Sequence, residues 1–200
     1  MKKYKAIGFD HMGVIVGTSI AVFHQKMCDT LNVSKQEFIT AYLNHNLVFN
    51  EGKIAKDEFW KQVLKDLNRE EQFDEVMKVI NKPYDLNINV IEIIKDLKSK
   101  NYKLGILSND TLDGASKMRD REHLDELFNL ILVSAETGLA KPTPEAFMDF
   151  VKKMDVKPNE LIFIDDAVKN IEAAKNLGID GILCTDPNLL HDQLKDLNIL

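Results

Sequence analysis

The chain has 200 residues, 44% of them hydrophobic and 29% charged, with a formal net charge of −6. That length suits one well-buried domain, or one domain carrying a small insert, and the composition argues against a disordered chain. The acidic balance leaves no basic footprint for nucleic acid, and no stretch reaches the ~18 apolar residues of a membrane helix.

Read from the N-terminus, MKKYKAIGFD starts basic, but its apolar run is too short for a signal peptide and meets Asp10 at once. Cys28 and Cys184 lie far apart with no CxxC spacing, which excludes a disulfide framework and a cysteine zinc cluster. The expected location is the reducing cytoplasm.

Residues 5–9 (KAIGF) read as a buried strand. Residues 17–86 then carry helical patterns at 19–31, 35–45, 56–67 and 70–80, with SKQE at Ser34–Glu37 as a capping box. From about residue 88, strand and helix alternate. Strands are expected at 103–107, 130–134 and 161–164, with a shorter one at 181–184, and helices at 90–100, 144–154 and 168–177. The pattern predicts an α/β fold: a doubly wound parallel sheet (1–16 and 87–200) interrupted by a helical cap (17–86).

In such sheets the ligand crevice lies outside the carboxyl ends of the strands. Asp10 ends the first strand, Ser108 and Asn109 the second, and Asp165 and Asp166 a later one. All should meet at one rim, from which the helical insert also departs. Taken singly, each has an ordinary explanation. Asp10 suits a turn or a helix cap, and SND a turn. Lys141 suits a solvated lysine before a helix-starting proline, and Asp165 with Asp166 a cap for the helix near Ala167. Their joint placement is what those explanations leave out. His11, His24, His45, His123 and His191 show no metal-ligand spacing and read as surface or packing residues. Trp60 reads as core of the insert, and MRDREHLDE as a solvated helix face.

GFDHMGVI, GILSND, AKPTPEAF and FIDDAVKNIEAAKNLG, in that order and spacing, resemble the four motifs of the haloacid dehalogenase (HAD) superfamily, most of whose members are phosphatases. The resemblance implies a Rossmann-like HAD core with a small helical-bundle cap. It implies Asp10 as nucleophile, Ser108 and Asn109 as phosphate-binding groups and Lys141 as the charge-stabilising group. It also implies Mg²⁺ held by Asp10, the Met12 backbone carbonyl, Asp166 and, secondarily, Asp165. The implied substrate is a small phosphorylated metabolite, hydrolysed through an aspartyl-phosphate by a monomer or homodimer.

One position departs from the family pattern. Family phosphatases usually carry Asp two places after the nucleophile, as acid for the leaving alcohol and base for the attacking water. Here Met12 stands there and moves no proton. Three readings follow. The protein is a slow or specialised phosphatase for good leaving groups such as sugar 1-phosphates or acyl phosphates. Alternatively, it is a catalytically silent phosphate- or partner-binding relative. Alternatively, it is a 2-haloacid dehalogenase, which needs neither that Asp nor a metal. The last binds its carboxylate with a cap arginine, and the only arginines are Arg69, Arg119 and Arg121, none in the first half of the cap.

Overall fold

The computed structural model describes residues 3–18, 20–82, 85–120 and 123–200. Five strands form one sheet: β1 (Ala6–Phe9), β2 (Lys103–Ser108), β3 (Leu130–Val133), β4 (Leu161–Asp165) and β5 (Asp180–Leu183). Their order is β3-β2-β1-β4-β5, and every pairing is parallel. The expected strands thus all form, within a residue or so of the expected ends.

Among the described residues, the segment inserted after β1 carries four helices: α1 (Ile20–Leu31), α2 (Lys35–Asn50), α3 (Lys56–Leu67) and α4 (Phe73–Ile80). After them come α5 (Ile88–Ser99), α6 (Leu112–Asp120), the single turn α7 (Ser134–Thr137), α8 (Pro144–Lys153), α9 (Val168–Asn176) and α10 (Leu190–Asp196). The period of two along each strand divides the core. Ile7, Phe9, Ile106, Ile162 and Ile164 pack with apolar residues of α5, α6 and α10. Ala6, Leu107, Leu161 and Phe163 pack with those of α8 and α9. Helices therefore cover both faces, as an all-parallel sheet requires.

The second face is packed so closely that it needs glycine. A Cβ at Gly8 would lie 2.7 Å from ring carbons of both Phe150 and Phe163, and both rings are fully buried. Gly8→Ala is expected to cost about 1–3 kcal/mol through overpacking. Urea unfolding monitored by circular dichroism checks this, and an unchanged midpoint would show that the rings yield without strain.

The inserted helices hold a third apolar cluster of their own, including Phe23, Met27, Phe38, Trp60 and Val63. Trp60 is 2% exposed, in the packing role expected of it. The Ser34 capping box forms, with Glu37 N–H donating to Ser34 Oγ (3.2 Å) and Ser34 N–H to the Glu37 carboxylate (2.9 Å). Helix α2 runs five residues past the expected end at 45. There Phe49 stacks on Phe59 of α3 at 4.1 Å, a tertiary contact that holds the extra turn in place.

Two elements differ from expectation. MRDREHLDE is no continuous solvated helix face: α6 ends at Asp120 and a 3₁₀ turn covers Leu124–Glu126, while Arg121 and Glu122 lie outside the described residues. Met118 and Leu124 are both fully buried against the sheet, so the two anchors split the segment. Helix α6 itself was not expected from LDGASKMRD. Thr111 starts it by accepting the Gly114 N–H on Oγ1 (3.0 Å), and Ala115 and Met118 pack it down.

Candidate active site

The sheet order reverses at β1, so the crevice opens at the carboxyl ends of β1, β2 and β4. Asp10 follows β1 directly, and its N–H still bonds the Ile164 carbonyl at 2.8 Å. The chain then turns at once. Gly13 takes φ 83°, a left-handed conformation that glycine adopts without penalty. Ile15 and Val16 both donate to the His11 carbonyl. The path into the inserted helices and the path out run side by side: Gly17 N–H bonds Asp85 O (3.2 Å) and Asn87 N–H bonds Ile15 O (2.7 Å). The inserted helices are therefore anchored next to Asp10.

Lys141 reaches this rim from the loop before α8 and is almost wholly buried. Its Nζ lies 2.7 Å from Asp10 Oδ1 and 2.8 Å from Asp165 Oδ2. Burial alone would lower the pKa of this ammonium. The Asp10 and Asp165 charges outweigh that and hold it raised. One backbone contact places the lysine: Asn109 Nδ2 donates to Lys141 O and Lys141 N–H donates to Asn109 Oδ1, both at 2.7 Å. The Asn109 side chain is thus committed to positioning Lys141. Ser108 sits at the last position of β2, buried, on the same rim.

Asp165 is fully buried and already well supplied with donors. Besides Lys141 it accepts Ala167 N–H (2.8 Å), as a cap of the following helix does, and both its oxygens accept Asn170 Nδ2. Asp166 is more open. Ligand atoms of Asp10, Asp165 and Asp166 all lie within 4.8 Å of one another. Burial, before any neighbouring charge, pushes the Asp10 carboxyl up to about 6. The Asp166 carboxyl also rises to about 6, from burial first and the Asp165 charge second. Three carboxylates face one lysine, so the pocket holds excess negative charge. Hard, buried oxygen donors of this kind suit a small dication.

The rim residues expected from the sequence therefore come together: Asp10, Ser108, Asn109, Lys141, Asp165 and Asp166. Two supporting residues were not singled out. Asn170 pins Asp165, and its place one turn into the helix after the Asp pair was the available signal. Ser134 Oγ lies 3.1 Å from Asp110 N and 3.2 Å from Asp110 O, bracing the loop after β2. No sequence pattern links residues that far apart. Buried His11 sits near Asp110, whose carboxyl is pushed up by burial and held back by the histidine's charge.

The model of the haloacid dehalogenase-like hydrolase family matches residues 4–178. The chain belongs to that family. Among curated relatives, bifunctional epoxide hydrolase 2 of Sus scrofa is 30% identical over 114 residues, 55% of this chain. The chain spans only 20% of that protein's length there, and 36% of the mouse protein's in a longer match. Phosphoglycolate phosphatase of Aquifex aeolicus is 25% identical over 178 residues, covering 87% of this chain and 81% of the relative. A HAD family enzyme of Bacteroides thetaiotaomicron, solved with magnesium and inorganic phosphate, superposes with a TM-score of 0.65 at 20% identity, over 90% of this chain and 93% of that one. At that identity it shows the fold. This HAD-like hydrolase has phosphatases among its homologues, and no described helix is long and apolar enough to cross a membrane.

Proposed function

We propose that this HAD-like hydrolase is a Mg²⁺-dependent phosphomonoesterase working through an aspartyl-phosphate on Asp10, and that Met12 slows it. The observation carrying this reading is the Lys141 ammonium shared by Asp10 and Asp165 beside a third carboxylate, Asp166. A lone carboxylate repels a phosphate dianion. It attacks phosphorus only where fixed positive charge and hydrogen-bond donors offset that repulsion.

The residues divide the work. Asp10 attacks phosphorus. Lys141 balances charge at Asp10 and holds the carboxylate in place. Asp165, saturated by Lys141, Ala167 N–H and Asn170, orients the lysine and stands second to Asp166 as a metal ligand. Ser108 and the backbone at Asn109 hold phosphate oxygens. Asp10, Asp166 and the Met12 carbonyl would hold Mg²⁺, which would supply the remaining positive charge. The inserted helices act as a cap that excludes water and sets substrate choice. The substrate is a small phosphorylated metabolite met in the cytoplasm by a monomer or homodimer, with no nucleic acid or membrane involved.

Among the described residues, no arginine serves the dehalogenase reading. Arg69 donates to Leu31 O and Asn68 O, Arg119 pairs with Glu136 at 2.8 Å, and neither lines the cavity between helices and sheet. The test is a panel of phosphorylated metabolites and 2-haloacids, with and without Mg²⁺. Phosphate release that needs Mg²⁺ is expected, and none from haloacids. Halide release, or no turnover of any phosphate including acetyl phosphate, would overturn the proposal.

A pH effect follows from the raised carboxyls. Folded Asp10 and Asp166 hold their protons more tightly than in the unfolded chain. The stability they lend is full below about pH 4 and is lost as pH rises through about 6. The same protons oppose a dication. The rise in Tm on adding Mg²⁺ is therefore expected to be small at about pH 5 and large at about pH 7.5. Scanning calorimetry at the two pH values measures it. Equal rises would place the ion away from these groups.

A further inference from the structure

A cavity of about 450 Å³ lies between the inserted helices and the sheet rim. On the sheet side it is lined by His11 and Asn109, which directly follow Asp10 and Ser108 in the chain, and by Met12. On the helix side four aromatic residues line it: Phe23, Tyr42, Phe49 and Trp60. Charged residues line it as well: Lys56 is tied to Asp113 at 2.8 Å and Lys117 to Asp113 at 3.0 Å, and the buried Asp110 carboxyl lies at the sheet end. A phosphate gripped at the rim would thus carry its organic group into a chamber with an aromatic wall.

We propose that the substrate is an aryl phosphate, the phosphate monoester of a phenol. The inference rests on the phosphatase reading above and names its substrate class. Two independent observations converge on it. The first is the wall: Tyr42 is half-buried there and Phe23, Phe49 and Trp60, each at most 9% exposed, back it, and such an aromatic lining favours a flat aromatic guest over a saturated or hydroxylated one. A cavity of ~150 Å³ holds one benzene ring, so 450 Å³ accommodates a fused or substituted aromatic. The second is Met12, which lines the same cavity and offers no proton to a departing oxygen. A phenol has a pKa of about 10 and leaves as its anion far more readily than an alkoxide, whose basicity approaches that of hydroxide, with a parent pKa of about 15.7. An aromatic chamber and a missing proton donor call for the same leaving group.

The step balances without any further reagent. The Asp10 carboxylate oxygen bonds to phosphorus and the P–O bond to the ring breaks. The phenolate departs with the electron pair and takes its proton from solvent. Water then attacks phosphorus, releases inorganic phosphate and restores the carboxylate.

The test uses the native protein with Mg²⁺ and two ligand series. In the first, kcat/KM, which reports the attack by Asp10, is measured for 2-naphthyl, phenyl and cyclohexyl phosphate. The expected order is naphthyl, phenyl, cyclohexyl, with ~10²-fold or more between the last two. In the second, phenylphosphonate and cyclohexylphosphonate, whose P–C bonds do not hydrolyse, are titrated against the fluorescence of Trp60, the sole tryptophan of the chain. Phenylphosphonate is expected to shift that emission and to bind at least tenfold more tightly. Phenyl and cyclohexyl esters hydrolysed within about threefold of each other, or phosphonates bound alike, would overturn the aryl assignment and leave the phosphatase reading standing. Ring-selective phosphonate binding with no hydrolysis of any phosphate ester would overturn the phosphatase reading instead.

Discussion

Asp10→Asn is expected to lower phosphate release by roughly 10⁴-fold or more, the scale seen when a covalent nucleophile is removed. The amide fits the same space beside Lys141 but does not bond to phosphorus as an anion. The same change is not expected to unfold the protein. Burial already pushes the Asp10 carboxyl up to about 6, so its charge is held at a cost to stability. The variant should melt at or above the native Tm in the absence of metal, a trade of stability for function. Phosphate release under excess Mg²⁺, with mass spectrometry to exclude deamidation back to Asp, decides the point. An active, undeamidated variant would end the nucleophile assignment.

Met12→Asp is expected to act in the opposite direction and accelerate turnover, by up to the ~10²–10⁴ that a positioned acid–base group supplies. The reason lies in the two half-reactions. A leaving group can be chosen to need no proton, but every aspartyl-phosphate needs an activated water. Native turnover should therefore be slow, with kcat only weakly dependent on leaving-group pKa and with phosphorylated Asp10 accumulating. Rapid quench with a labelled activated phosphate compares the two proteins. A fast native enzyme with no trapped intermediate and no gain in the variant would mean that another group moves the proton. His11 is then the first suspect and Asp110 the second, since both line the cavity. The gain comes with a loss elsewhere. A fourth carboxylate beside Asp10, Asp165 and Asp166 makes the metal-free fold less stable at neutral pH.

Much of this architecture is legible in local pattern. Short apolar runs such as AIGF and LIFID have few ways to bury themselves except as central parallel strands, and each ends where a polar residue must emerge. Asp10, Ser108, Asp165 and Asp166 could therefore be assigned to one rim before any coordinates. Ser34 to Glu37 marks a helix start because both partners of its cap lie within one turn. What fails is what depends on distant partners. Thr111 begins α6, despite a glycine in its first turns, because Ala115 and Met118 find the sheet. Helix α2 gains a turn because Phe49 finds Phe59.

At the site the same division holds. The sequence by itself determined which chemical groups reach the crevice, because strand ends in a doubly wound sheet all open on one side. It also determined the absence of a proton-moving group at position 12. Only the tertiary structure decided how those groups share their charges. Asp165 spends its oxygens on Lys141, Ala167 and Asn170, whereas Asp166 does not, and Asn109 serves the lysine's backbone. Only the tertiary structure, too, brought Phe23, Tyr42, Phe49 and Trp60 over Met12. Hydrogen bonds and cavity walls are set by the packing of segments that are remote in the chain, and no local periodicity records that packing.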